Sequence, residues 1–96
     1  MRPYEVMYIL QPTLSADEQT AMVDRFDELI ASMGGTVEKT DRWERRQLAY
    51  DLKGFRDGYY VVVNFQGDPA LEAELDRQMR LTEPILRHMI IRPNED

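Results

Sequence analysis

Residues 42–64 read RWERRQLAYDLKGFRDGYYVVVN. Leu48, Tyr50 and Leu52 alternate with Gln47, Ala49, Asp51 and Lys53, a period of two that marks a half-buried strand. Gly54 and the pair Asp57-Gly58 supply turn chemistry. Tyr59-Tyr60-Val61-Val62-Val63 follows, a β-branched and aromatic run of the kind that fills a central strand. The stretch reads as strand, turn and strand, and the remaining elements are placed around this hairpin.

Its charge is as distinctive as its pattern. Between Lys39 and Arg56 stand six basic residues (Lys39, Arg42, Arg45, Arg46, Lys53, Arg56) and three acidic ones (Asp41, Glu44, Asp51), a local charge of +3. The rest of the chain holds six basic and fifteen acidic residues, and the net charge is −6. A basic hairpin in an acidic chain points to an anionic partner at the hairpin. The plainer reading is a solvated hairpin whose arginines discourage edge-to-edge aggregation. Charge alone leaves both open.

A chain of 96 residues is expected to form one domain, 1–96, ending in a short polar tail at 93–96. A domain of this size buries roughly 65% of its unfolded surface, enough for one modest core. No apolar run approaches the roughly 20 residues that span a bilayer. Met1-Arg2-Pro3-Tyr4-Glu5 does not resemble a signal peptide, and the chain has no cysteine. A cytoplasmic setting is expected. A pI near 4.7 argues against nucleic acid in general. Electrostatics act within a Debye length of about 8–10 Å, however, so a local basic patch keeps that reading available. Ten of the 12 basic residues are arginine, which suits bidentate contact with phosphate.

Upstream, Tyr4, Val6, Tyr8 and Leu10 alternate with Glu5, Met7 and Ile9, giving a first strand over 4–10. Ser15 and Glu18 form a capping box at a helix start. That helix buries Met22, Phe26, Leu29, Ile30 and Met33 and ends at Gly34-Gly35. The second strand opens at Thr36. Its apolar position is odd at Val37 but even at Leu48, Tyr50 and Leu52, so a bulge is expected near Trp43-Glu44-Arg45. Downstream, Asp68 and Pro69 start a second helix that buries Leu71, Leu75 and Met79 and ends before Pro84. Ile85 to Arg92 is a last strand.

The order β-α-β-β-α-β, with right-handed crossovers, gives an α+β ferredoxin-like sandwich: a four-stranded antiparallel sheet with both helices on one face. Val6, Phe26, Leu29, Leu48, Tyr50, Tyr60 and Leu75 are expected between sheet and helices. Met7, Ile9, Tyr59, Val61, Val63 and Arg87 are expected on the open face. That face is apolar enough to dock a protein, so Ile9, Tyr59, Val61 and Val63 are candidate partner contacts.

Catalytic chemistry finds little support, and no catalytic residue, metal or cofactor is expected. His88 is the single histidine and stands in a strand without a nucleophile pattern beside it. Asp24, Asp27 and Glu28 share a helix face, which reads as solvated rather than metal-binding. The fold is shared with the RNA recognition motif, but Arg56-Asp57-Gly58-Tyr59-Tyr60-Val61-Val62 resembles its third-strand signature only loosely. The alternative from another class is a small-ligand regulatory or acylphosphatase-like domain. The latter needs an Arg–Asn pair near the first strand. Arg2 is present, but no asparagine occurs in the first sixty residues.

A closer resemblance lies in Arg45-Arg46-Gln47-Leu48-Ala49-Tyr50 after Trp43, followed by Gly58-x-Tyr60. With Met1-Arg2-x-Tyr4-Glu5, Gly35-x-Val37, Leu71-x-x-x-Leu75 with Arg77, and Leu86-Arg87, the chain resembles the S six family of bacterial small-subunit ribosomal proteins from end to end. Two positions depart from the family pattern: Glu44 stands where the family has glycine, and Asp51 where it has proline. The resemblance implies a structural, non-catalytic protein of the cytoplasmic ribosome. It also implies binding to the central domain of the small-subunit RNA as a heterodimer with a basic partner, protein S eighteen. The residues expected to meet that RNA are Arg2, Arg45, Arg46, Lys53, Arg56, Arg87 and Arg92.

Overall fold

In the computed structural model, which describes residues 1–93, six elements follow one another: β1 (Arg2–Leu10), α1 (Ala16–Ser32), β2 (Thr36–Leu52), β3 (Phe55–Gly67), α2 (Pro69–Leu81) and β4 (Ile85–Ile91). The strands lie in the order β2-β3-β1-β4 with every neighbouring pair antiparallel. Both helices pack on one face, which is the ferredoxin-like arrangement that the order of elements implied. The polar tail expected at 93–96 lies, beyond Pro93, outside the described residues.

Local chemistry sets the helix ends. The Glu18 N–H donates to the Ser15 hydroxyl at 3.1 Å, and the Glu18 carboxylate accepts from the Ser15 N–H at 2.9 Å. Two orphan donors are satisfied at once, and these bonds hold the Glu18 carboxyl below its usual pKa. At the other end of α1, Gly34 takes a φ of +83°, and Gly35 donates its N–H to the Ile30 carbonyl. Asp68 is the N-cap of α2 and Pro69 its first residue. The Asp68 side chain makes no capping bond; its carboxylate lies 3.8 Å from the Met1 ammonium instead.

The main core joins Tyr4, Val6, Tyr8 and Leu10 of β1 to Val61, Val63 and Phe65 of β3, under Phe26 and Ile30 of α1 and Leu71, Leu75 and Met79 of α2. Tyr4 stacks on Phe65 at 5.4 Å between ring centres, and Tyr8 meets Phe26 edge-on at 5.7 Å. Leu29 and Met22 pack at its margin, while Met33 is exposed.

The register corrects the expected faces of β3. Val6 is opposite Val63, Tyr8 opposite Val61 and Leu10 opposite Tyr59. Residues directly opposed in a ladder share a face. Tyr59, Val61 and Val63 therefore point toward the helices, and Tyr60, opposite Ile9, points to the open side. Residues 59–63 are apolar at both parities, so periodicity could not tell the faces apart.

β2 corrects a second expectation. The bulge at Trp43-Glu44-Arg45 is present: three steps from Arg42 to Arg45 face two steps from Val61 to Tyr59, and Glu44 does not prevent it. A further bulge stands at Glu38, since Val37 faces Phe65 and Lys39 faces Asn64. Each bulge exchanges the two faces, so together they cancel. Leu48 therefore lies on the open side. It forms a small second cluster with Ile9 and Leu86, flanked by Leu52, Phe55 and Tyr60. Tyr50 is 61% exposed and is not a core residue.

The hairpin reverses at Lys53-Gly54, with φ values of +50° and +85°. These match a two-residue type I′ turn, whose twist suits the flanking strands. Asp57-Gly58 consequently lies inside β3 rather than in the turn. Gly58 is needed there for space: a Cβ would sit 2.6 Å from Ile9 Cγ2 and 2.9 Å from the Leu10 carbonyl oxygen.

Phe26→Ala should cost about 3–5 kcal/mol and Leu48→Ala about 2–3 kcal/mol in urea unfolding. Tyr50→Ala should cost no more than about 1 kcal/mol. A Tyr50 penalty equal to that of Phe26 would contradict the exposed position of Tyr50.

Candidate nucleic-acid interface

The distal part of the β2–β3 hairpin curls back over the open face. Leu52 and Phe55 settle against Ile9, Leu48 and Leu86, and the Lys53 ammonium at the turn donates to the Ile85 carbonyl at 3.0 Å. This brings the tip to the start of β4. Arg87, opposite Ile9 on that strand, donates to the Tyr50 hydroxyl at 3.1 Å. Arg45, Arg46, Lys53, Arg56 and Arg87 thus gather at one end of the sheet.

Their local partners differ. The Arg45 guanidinium donates to the Asp57 carboxylate, and this bond pushes its pKa up. The Arg46 guanidinium lies 4.7 Å over the Trp43 ring, and that ring stacks on Tyr60 at 5.9 Å with 15° between planes. Arg56 is exposed and pairs with no carboxylate among the described residues. Arg42 turns the other way and donates to the Thr20 hydroxyl on α1 at 2.9 Å.

Arg2 and Arg92 do not join this group. Arg2 is opposite Gly67 at the far end of β1, about 25 Å along the strand from the hairpin end. Arg92 follows β4 at that same far end, 3.7 Å from the Glu72 carboxylate and 5.7 Å over the Tyr4 ring.

A family model described as ribosomal protein S6 matches residues 3–92. The chain belongs to the ribosomal protein S6 family. It is 40% identical to small ribosomal subunit protein bS6 of Moorella thermoacetica over 96 residues, spanning all of this chain and 98% of the relative. It is 44% identical to bS6 of Carboxydothermus hydrogenoformans over 95 residues, 99% of each chain. The crystal structure of 30S ribosomal protein S6 from Thermotoga maritima superposes with a TM-score of 0.90 at 33% identity, covering 95% of this chain and 86% of that one.

Within this S6 chain the expected partner surface is not a surface. Val61 and Val63 are 2% and 1% exposed beneath the helices, Tyr59 packs against the same core, and Ile9 is covered by the hairpin. On the edge strand β4 the open face instead exposes the apolar side chains of Met89 and Ile91. With Met7 and Glu5 of β1 they line a small cleft of about 100 Å³. A period-two reading of β4 could have found them, since Arg87, Met89 and Ile91 share one face. Trp43 and Tyr60 were also missed as a site, because their stacking depends on the bulge that follows Trp43.

Other candidate chemistry resolves into structure. His88 faces α2, its Nε2 2.7 Å from Asp76 Oδ1. No group of three or more His, Cys, Asp or Glu side chains suited to a metal ion occurs among the described residues. Asp24, Asp27 and Glu28 instead border an open cleft of about 430 Å³ between α1 and β2. Asp27 accepts from the Thr40 hydroxyl at 3.1 Å, yet burial outweighs that bond and raises its carboxyl above the usual range.

The sign of that shift gives a test. Because the folded-state pKa is raised, the charged carboxylate opposes folding at neutral pH, and the penalty fades as pH falls through the folded value. Asp27→Asn should therefore raise the thermal midpoint at pH 7, with the advantage shrinking toward about pH 4 and below. An asparagine variant less stable than the parent at pH 7 would contradict this.

Proposed function

We propose that this chain is a structural, non-catalytic constituent of the small ribosomal subunit, and that it binds the central domain of the small-subunit RNA through the β2–β3 hairpin. The observation that carries the reading is the S6 family match over residues 3–92 on a chain in which five basic residues, Arg45, Arg46, Lys53, Arg56 and Arg87, lie at one end of the sheet. Arg45, Arg46, Lys53, Arg56 and Arg87 are the proposed phosphate contacts there. Arg2 and Arg92 would meet a separate stretch of backbone about 25 Å away.

The acidic remainder shapes the second half of the proposal. A net charge of −6 repels the phosphates that the hairpin attracts. A basic partner, protein S eighteen, relieves that repulsion by joining the chain as a heterodimer. Met7, Met89 and Ile91, rather than Ile9, Tyr59, Val61 and Val63, are the open-face side chains that such a partner can cover.

Titration of central-domain RNA with and without the partner tests both halves. Affinity should be weak for the chain alone and rise sharply when the partner is added. Arg87→Ala should weaken the ternary complex and reduce the salt slope by about 0.7–0.9, the share of one phosphate contact. Equal affinity in both arms would refute the dependence on a partner. An unchanged slope would remove Arg87 from the interface.

A further inference from the structure

The basic residues of the hairpin are not equally prepared to receive a phosphate. Arg45 is paired to a carboxylate, which must be given up before its charge serves another anion. Lys53 is committed to the Ile85 carbonyl and Arg87 to the Tyr50 hydroxyl. Arg56 is exposed, and nothing among the described residues orders its guanidinium. Among the described residues of the hairpin, Arg46 alone is held by a contact that leaves its donors unused. A guanidinium over an aromatic face keeps its charge and its in-plane N–H groups, because the ring attracts it through the quadrupole and accepts no conventional hydrogen bond.

The ring that holds it is itself held. Trp43 stands at the start of the bulge, 41% exposed, and its indole stacks on Tyr60 of the neighbouring strand. Across the ladder, Arg46 faces Gly58, so no opposing side chain competes for the space beside it. An exposed aromatic on an open sheet face would elsewhere offer a platform for an unstacked base. Here the indole already carries an intramolecular ring and an intramolecular cation.

We propose that Trp43 is a positioning residue that fixes the Arg46 guanidinium as the pre-organised phosphate anchor of the hairpin, rather than a platform for a base. This rests on the RNA-binding reading above. It deepens that reading by assigning the ligand chemistry at this point to the phosphodiester backbone. Ordering Arg46 before the encounter removes part of the entropy otherwise lost on binding.

The test uses the full chain with its partner and a labelled central-domain RNA fragment, comparing Trp43→Leu, Trp43→Phe, Arg46→Ala and the double variant Trp43→Leu/Arg46→Ala. Circular dichroism melting of each variant checks the fold. Trp43→Leu should weaken binding about two- to fivefold, the share of an exposed cation–π contact. It should also lower the salt slope, although no charge has been removed. Trp43→Phe, which keeps an aromatic face, should restore both. The double variant should bind no worse than Arg46→Ala, because the two residues act as one unit. In the free chain, the Arg46 side-chain proton resonances should show a ring-current shift that Trp43→Leu abolishes. Additive losses, an unchanged salt slope in Trp43→Leu, or the absence of that shift would overturn the positioning role while leaving RNA binding intact. Failure of the parent chain and partner to bind the RNA at all would overturn the functional reading and the proposal together.

Discussion

Val6 stands opposite Val63, and this pairing of β1 with β3 governs the rest of the molecule. These two strands are the centre of the sheet, so their register decides which side chains meet the helices and which meet the hairpin. With Val6, Tyr8 and Leu10 facing the helices, Val61, Val63 and Tyr59 must follow. Ile9 and Tyr60 are left on the other side, where they become the floor on which Leu48 and Leu86 settle. A one-residue slip would exchange the two sets and leave aromatic rings in water on one face and the hairpin without an anchor on the other. That anchor matters because a two-stranded ribbon is at best marginally stable by itself. The cluster of Ile9, Leu48 and Leu86 converts the distal hairpin from a free ribbon into a fixed projection.

Charge is arranged to match. On α2, Glu74 accepts two bonds from Arg77 and one from Gln78, which together push its carboxyl down to about 2. Asp76 receives Arg80 and His88, and Glu72 lies near Arg92. Arg77, Arg80 and Arg92 are thus engaged with acidic neighbours. Exposed pairs of this kind add little stability each. Their consequence is spatial: several cations outside the hairpin are locally compensated, whereas Arg46, Lys53, Arg56 and Arg87 of the hairpin end have neutral partners or none among the described residues. The field that an anion meets there is local, which reconciles a pI near 4.7 with a polyanionic ligand.

Much of this was legible in the chain. The capping box at Ser15 and Glu18, Pro69 at the start of α2, and the 3.6-residue spacing of Phe26, Ile30, Leu71, Leu75 and Met79 placed both helices. The bulge at Trp43 is where the parity of Val37 and Leu48 put it, but the premise of a shared face does not hold: a second bulge at Glu38 cancels the first and leaves the two residues on opposite faces. What stayed hidden was information that periodicity does not contain. Residues 59–63 are apolar at every position, so only pairing with β1 could choose a face for them. Glu38 and Lys39 are both polar, so a bulge between them left no trace in the pattern, yet it moved Leu48 to the opposite side of the sheet. The clustering of Arg45, Arg46, Lys53 and Arg56 in one basic hairpin is legible in the chain, but the place of Arg87 beside them is not. The division of the basic candidates into a hairpin group and the distant Arg2 and Arg92 required the strand order and the curl of the hairpin tip.

The curled hairpin, anchored on the open face, is the proposed RNA-facing part of the chain. Amide hydrogen exchange on the free chain, the chain with the proposed basic partner, and the complex with central-domain RNA tests this assignment most directly. Added RNA should slow exchange across residues 43–58 beyond any protection the partner confers. Protection by RNA confined to the far end of the sheet around Arg2, Gly67 and Arg92, with residues 43–58 unchanged, would contradict it.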